Sequence, residues 1–186
     1  MIDERIPMIV KPAFDEIDLW AAKKWCAWKL TGGTKIPLNC HKTEIGRRAS
    51  IDDPMSWTDG KQAWITSHQE SWNGIEFAVK MDDPLVFIDL DDCRHPKTGD
   101  IEPWAREIVD RFDCYTEVSP SQTGLHIFCT GEFDSGKGHT DHELGLEIYQ
   151  ADRLAIVTGW TDMVGPLGGD TIEGRQGDIQ WLLDTH

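Results

Sequence analysis

The chain has 186 residues, 39% hydrophobic and 27% charged, enough apolar material for one buried domain or for two small lobes sharing an interface. Its net charge is −15, no apolar run nears the roughly 20 residues that cross a bilayer, and Met1-Ile2-Asp3-Glu4-Arg5 lacks the basic-then-apolar order of a signal peptide. Five cysteines, Cys26, Cys40, Cys93, Cys114 and Cys129, form no Cys-x-x-Cys pair, so the expectation is a cytoplasmic protein with free thiols, no disulfide framework and no structural zinc.

Residues 24–30 have strand composition, Gly32 and Gly33 break the run, and 35–38 is a short extended piece. Trp25 and Trp28, three apart, cannot share a strand face. After the turn signal Asp52-Asp53-Pro54, residues 57–68 read as a helix with Ser56 or Thr58 as its cap. Residues 74–80 read as a strand that Asp82-Asp83-Pro84 turns back, as a hairpin, into the strand 85–90. A second helix covers 102–112, with Pro103 in its first turn and Trp104, Ile108 and Phe112 at helical spacing toward the core. Strands 114–118 and 124–130 are joined by a turn crowded with hydroxyls, 144–149 and 154–158 form another pair, and 179–183 belongs to a final helix. The order after residue 75 fits an α+β sheet layered on helices.

The run Leu85-Val86-Phe87-Ile88-Asp89-Leu90-Asp91-Asp92 carries the strongest chemical signal. Alternation puts Asp89 and Asp91 on one face, and two carboxylates that close resist joint ionisation unless a hard cation such as Mg²⁺ or Mn²⁺ lies between them. An Asp-x-Asp is by itself a weak motif, and Asp91-Asp92 also reads as the opening of the turn through 93–99. Glu147, an acid among apolar neighbours, needs a partner, either that metal or Arg153 in an ordinary ion pair. Ser119, Ser121 and Thr123 ahead of Gly124 offer hydroxyls and amides to phosphate oxygens. His126 is either a packed strand histidine or a phosphate ligand, and Arg153 offers a planar cationic fork. His139 and His142 fall in a stretch of Gly, Ser and Asp read as a solvated loop.

The negative charge is unevenly spread. From Lys23 to Arg48 the cations Lys23, Lys24, Lys29, Lys35, Lys42, Arg47 and Arg48 face Glu44 alone, a local +6 that leaves −21 on the rest. This basic island is either a solvated face or a track for nucleic-acid phosphates, and Trp28 or Trp57 would add base stacking if exposed.

Taken in order, Asp89-Leu90-Asp91, then Ser119-Pro120-Ser121-Gln122-Thr123-Gly124-Leu125-His126, then Glu147 with Arg153 and Thr158-Gly159 resemble the three motifs of the archaeo-eukaryotic primase superfamily. The likeness is greatest to the primase-polymerase domains of viruses and plasmids. Lys35-Ile36-Pro37-Leu38-Asn39 and Asp83-Pro84-Leu85-Val86 also resemble segments of those proteins, so the likeness spans roughly 20–160. It implies a two-lobed α+β primase-polymerase fold whose catalytic sheet is RNA-recognition-motif-like, mixed or antiparallel, and packed on helices. The implied divisions are an N-terminal α/β part at 1–74, the catalytic part at 75–170 and a C-terminal helix in 171–186. It further implies a two-metal site on Asp89, Asp91 and Glu147, nucleotide contacts from Ser119, Ser121, His126, Arg153 and Lys35, and template contacts from Lys29, Lys42, Arg47 and Arg48.

The implied activity is template-directed nucleotidyl transfer in replication, on a single-stranded DNA template with nucleoside triphosphates, beside a replicative helicase and away from membranes. No Cys-rich zinc stem and no following helicase or helical accessory segment is present in the sequence, so extension of a primer is implied more directly than primer-free initiation. Two rivals are a metal-dependent replication-initiator nuclease, which needs a nucleophilic Tyr near paired histidines, and a decayed single-stranded nucleic-acid-binding module, which would have lost a metal carboxylate. Tyr115 and Tyr149 have no paired histidines near them in sequence, and no carboxylate is missing.

Overall fold

Strands β1 (Trp25–Thr31) and β2 (Thr34–Leu38) pair as a tight hairpin because Gly32 and Gly33 both take positive φ, 58° and 82°, which side-chain-bearing residues rarely adopt. The computed structural model describes residues 19–134, 136–161 and 167–186, so the N-terminal stretch read for a signal peptide lies outside the described residues. No described helix is long and apolar enough to cross a membrane.

Helix α1 (Gly60–Gln69) starts later than the sequence suggests, and Asp59, not Ser56 or Thr58, caps it by accepting the Gln62 amide at 2.8 Å. The reason is tertiary. Thr58 is held extended by reciprocal bonds with Trp25 at 2.7 and 2.9 Å, and the Trp57 indole donates to the Ser50 carbonyl at 2.8 Å. Gly60 at the first helical position lies against the Trp20 ring, where a Cβ would come within 2.6 Å.

β3 (Gly74–Val79) and β4 (Leu85–Leu90) do not form the expected hairpin. β3 lies between β1 and β9 (Arg153–Val157), whereas β4 lies between β6 (Leu125–Thr130) and β8 (Leu146–Tyr149), all antiparallel. Both strands are buried on both faces along nearly their whole length, so each is stabilised more by a central place with neighbours on either side than by an isolated pairing with the other. β8 and β9 do not pair with each other either. β8 takes β4 and β7 as partners, and β9 closes the edge of the first sheet.

The region around His139 is also not a loop. Gly138–Asp141 forms β7, an edge strand half-buried along its length, because Gly138 lets the chain approach β8: a Cβ there would stand 2.7 Å from the Ile148 carbonyl. The remaining elements follow the sequence closely: α2 (Pro103–Phe112), β5 (Tyr115–Val118), the β5–β6 hairpin and α3 (Gln176–Thr185). Ile108 and Phe112 are buried, while Trp104 is half-buried at the margin of the core.

The result is an α+β fold with two antiparallel sheets, β2-β1-β3-β9 and β5-β6-β4-β8-β7, and three α-helices. One apolar core joins Val86, Ile88 and Leu90 of β4 to α2 and α3. The opposite face of β4, through Leu85 and Phe87, meets Trp25, Ile75 and Phe77 of the first sheet in a second core. β4 is thus apolar on both faces until Asp89, where the second face turns polar.

Candidate active site

The strand register puts five polar residues in one row across the second sheet. Asp89 on β4 is flanked by His126 on β6 and Glu147 on β8. Beyond them, Glu117 on β5 faces His126 and Thr140 on β7 faces Glu147. Directly opposed residues share a sheet face, so the row gathers side chains from between positions 89 and 147 onto one surface without any loop. His126 Nε2 lies 3.6 Å from Asp89 Oδ1, and Arg153 Nη2 lies 3.7 Å from Asp89 Oδ2 and 3.0 Å from Glu147 Oε2. The Arg153 guanidinium also lies over the Tyr149 ring, whose hydroxyl donates to Glu147 Oε2 at 2.9 Å. Burial, ahead of the neighbouring charges, raises the Tyr149 hydroxyl above its ordinary pKa.

Asp91 follows the end of β4, close enough to Asp89 and Glu147 to feel their charges, with its amide bonded to the Gly145 carbonyl at 2.8 Å. Gly145 has φ 76°, and a Cβ there would crowd the Asp91 carbonyl at 3.2 Å, so this glycine brings the start of β8 up to the acids. Partial desolvation raises the Asp91 carboxyl, and the charges of Asp89, Glu147 and Asp92 add to it.

The hydroxyl turn is seated beside these acids. Gly124 lies so near β4 that a Cβ would meet the Leu90 carbonyl at 2.6 Å. Ser119 Oγ, Ser121 Oγ and Thr123 Oγ1 form a chain with links of 2.8 and 3.0 Å, and Thr123 donates onward to Asp92 at 3.2 Å. Buried Arg94 braces the turn by donating to the Gln122 carbonyl at 2.8 Å.

A cavity of about 390 Å³ opens between this surface and the first sheet. Phe87, Asp89 and His126 line one wall, and Lys35, Pro37, Glu76, Leu154 and Ile156 the other, with Arg153 and Asp152 at the edge and Ile51 from the loop after β2. Lys80 and Lys137 both pair with Asp152. Burial raises the Glu76 carboxyl to about 7 despite a bond from the Cys26 thiol at 3.4 Å. Size and mixed polarity suit a phosphorylated small molecule.

Whether these residues suit a divalent metal can be judged from Asp89. Its Oδ1 is buried and without a hydrogen-bond partner, an uncommon state for a carboxylate oxygen. The acids around it supply only hard oxygen donors, the set that Mg²⁺ and Mn²⁺ favour. Among the described residues no three His, Cys, Asp or Glu side chains already converge as a cage, and Arg153 bridges Asp89 to Glu147. The donor chemistry fits a divalent metal, with Arg153 having to give up part of its contact.

Of the other residues singled out in the sequence, Lys35 reaches the cavity and the side of the Trp28 ring, its Nζ 6.0 Å from the centroid. Lys29, Lys42, Arg47 and Arg48 are exposed, on β1 and on the loop that follows β2, with Arg47 paired to Glu44 at 2.8 Å. Lys24 departs from the basic island, being paired to Asp82 and Asp83 at 2.9 and 2.6 Å. Stacking by Trp28 or Trp57 is ruled out, since the two rings are 1% and 5% exposed. Glu117 and Glu76 were missed in the sequence, although each is an acid inside an apolar strand, the same signal that picked out Glu147. Tyr115, one of the two candidate nucleophiles of the nuclease reading, is buried with its hydroxyl donating to Glu117.

No protein-family model matches the chain. Over 151 residues it is 34% identical to the DNA Primase-polymerase of Nitratiruptor phage NrS-1, a match covering 80% of this chain and 20% of that protein. The chain therefore spans about a fifth of that relative's length.

Proposed function

We propose, from the likeness to a phage primase-polymerase, that this chain is the nucleotidyl-transfer unit of a DNA primase-polymerase of the archaeo-eukaryotic superfamily, acting in replication. The observation that carries the reading is the row Glu147–Asp89–His126 at the mouth of a cavity between two sheets, with Asp91 and a hydroxyl turn beside it. Asp89, Asp91 and Glu147 would hold Mg²⁺ or Mn²⁺. Bound there, two such ions would make the 3′-hydroxyl of a primer more acidic and neutralise the charge developing on the triphosphate.

The chain's own residues supply the rest. His126, Ser119 and Ser121 donate to phosphate oxygens, and Lys35 and Arg153 add cationic charge from the opposite wall and the edge. Arg153 is suited to exchange its contacts with Asp89 and Glu147 for a phosphate, since its guanidinium is one-third exposed and already oriented by Tyr149. Phe87 on one wall and Pro37, Leu154 and Ile156 on the other exclude water from the bound nucleotide. Lys29, Lys42, Arg47 and Arg48 form the track for the phosphates of a single-stranded template.

The test is an incubation of the protein with primed and unprimed single-stranded DNA, labelled nucleoside triphosphates and Mg²⁺ or Mn²⁺. Extended products that vanish with chelator are expected. A protein that binds template but yields no product on either substrate overturns the reading in favour of a binding module, and shortened template favours the nuclease.

A further inference from the structure

Glu117 is wholly buried, and the proposed chemistry gives it no role of its own. Its carboxylate takes four donors. Oε1 accepts from His126 Nδ1 at 3.1 Å and from the Thr158 amide at 2.8 Å, while Oε2 accepts from the Tyr115 hydroxyl at 2.9 Å and the Gly159 amide at 2.8 Å. A buried ionised carboxyl is tolerated only with such a full set. Two of the donors are backbone amides of the turn that follows β9, so one group ties the second sheet to the end of the strand that carries Arg153.

An ionised carboxylate is purely an acceptor, so the nitrogen facing it must carry hydrogen. Nδ1 of His126 therefore carries hydrogen, and Nε2 is directed toward Asp89 and the cavity. The ring is fixed from the side as well, standing edge-on to Phe87 with centroids 5.2 Å apart. If Glu117 served only to hold the turn, it would need the two amides and would not need to sit directly opposite His126 in the strand register.

We propose that Glu117 is a positioning residue for nucleotide binding: by accepting from Nδ1–H it fixes the ring of His126 with Nε2 facing the cavity, so that the ring, doubly protonated against the phosphates, presents Nε2–H to them, while through Thr158 and Gly159 it ties the far end of β9 to the second sheet. The same division of labour holds where a carboxylate orients a metal-bound or catalytic imidazole. This inference rests on His126 facing nucleotide phosphate in the proposed function.

The experiment compares Glu117→Gln, Tyr115→Phe and His126→Ala in primer extension, with KM for the nucleotide, kcat and melting temperature measured for each. Glu117→Gln should raise KM about tenfold with a smaller change in kcat and no change in template affinity. Tyr115→Phe removes a different donor from the same carboxylate, and should lower the melting temperature while leaving KM unchanged. Long-range ¹H–¹⁵N spectra of the wild-type protein should show His126 protonated at Nδ1, a readout that needs no variant if Glu117→Gln fails to fold. An Nε2-protonated neutral ring in those spectra, or equal KM shifts in Glu117→Gln and Tyr115→Phe, overturns the proposal. KM raised by His126→Ala but untouched by Glu117→Gln overturns the positioning role alone, whereas KM untouched by His126→Ala overturns the phosphate role and this inference with it.

Discussion

The two walls of the cavity each bury a glutamate, and they treat it differently. Glu117, behind the second sheet's wall, is surrounded by four donors, two of them main-chain amides. Glu76, on the first sheet's wall, is about as buried but takes a long bond from a thiol, and its carboxyl is pushed up to about 7. Burial alone therefore does not define an anchored charge; the supply of donors does. The second sheet has its polar row built into the strand register and so holds its groups in place without ligand. The first sheet's wall is the more adjustable, with the cations Lys35 and Arg153 and a carboxyl near neutrality.

The sharpest way to break this contrast is to remove the fixed wall's chemistry. Asp89→Ala or Asp91→Ala should lower nucleotide incorporation by on the order of 10³-fold or more, the several kcal/mol that metal stabilisation of a transferring phosphoryl group supplies. Because each carboxylate repels its neighbours, melting in metal-free buffer should be unchanged or slightly higher. Near-normal extension by the double variant would show that the row is structural only.

Next comes the adjustable wall. An acid whose folded pKa lies above its unfolded value binds more protons when folded, so Glu76 costs stability progressively as pH rises from about 4.5 to about 7, and the full cost persists above that. Glu76→Gln, which keeps the shape and removes the charge, should stabilise the ligand-free protein at pH 8 by about 1–3 kcal/mol and have no effect near pH 4. Chemical denaturation at the two pH values measures the difference. A destabilised variant at pH 8 would mean that Glu76 is as well anchored as Glu117, and the contrast between the walls would fall.

A smaller effect is expected at the seam where the hydroxyl turn meets β4. Gly124→Ala would force a Cβ to within 2.6 Å of the Leu90 carbonyl, so the turn must shift at a cost of about 1–3 kcal/mol. Extension should slow through a raised KM for nucleotide, because Ser119 and Ser121 move with the turn. Unchanged melting temperature and KM would separate the turn from the site.

The smallest effect is predicted on the surface. Arg47→Ala with Arg48→Ala should weaken single-stranded DNA binding and reduce the log–log salt slope by about 1–2, with stability altered by less than about 1 kcal/mol, since the Arg47–Glu44 pair is exposed. Nucleotide KM should stay at the wild-type value. Template affinity that does not change would make the basic loop a solvated face.

What the sequence determined by itself is local. The apolar run before Asp89 marked β4, Pro103 and helical spacing placed α2 to within a residue of its observed start, and paired glycines set the β1–β2 turn. Those signals are written in neighbours a few positions apart, and they survive because each element's own geometry enforces them. Strand partnership is another matter. The turn at 82–84 looked like a hairpin and 144–149 looked paired with 154–158, yet β3, β4, β8 and β9 each took other partners, and a strand buried on both faces, as β3 and β4 are, gains most from the middle of a sheet. Helix α1 lost its first residues to a bridge with Trp25, and the weak stretch around His139 became a strand once β8 offered it an edge. The row Glu117–His126–Asp89–Glu147 is the same kind of fact. Each acid could be noticed in the sequence as a charge inside an apolar strand, but that they stand opposite one another is a matter of register, and register was decided only when the whole sheet was packed.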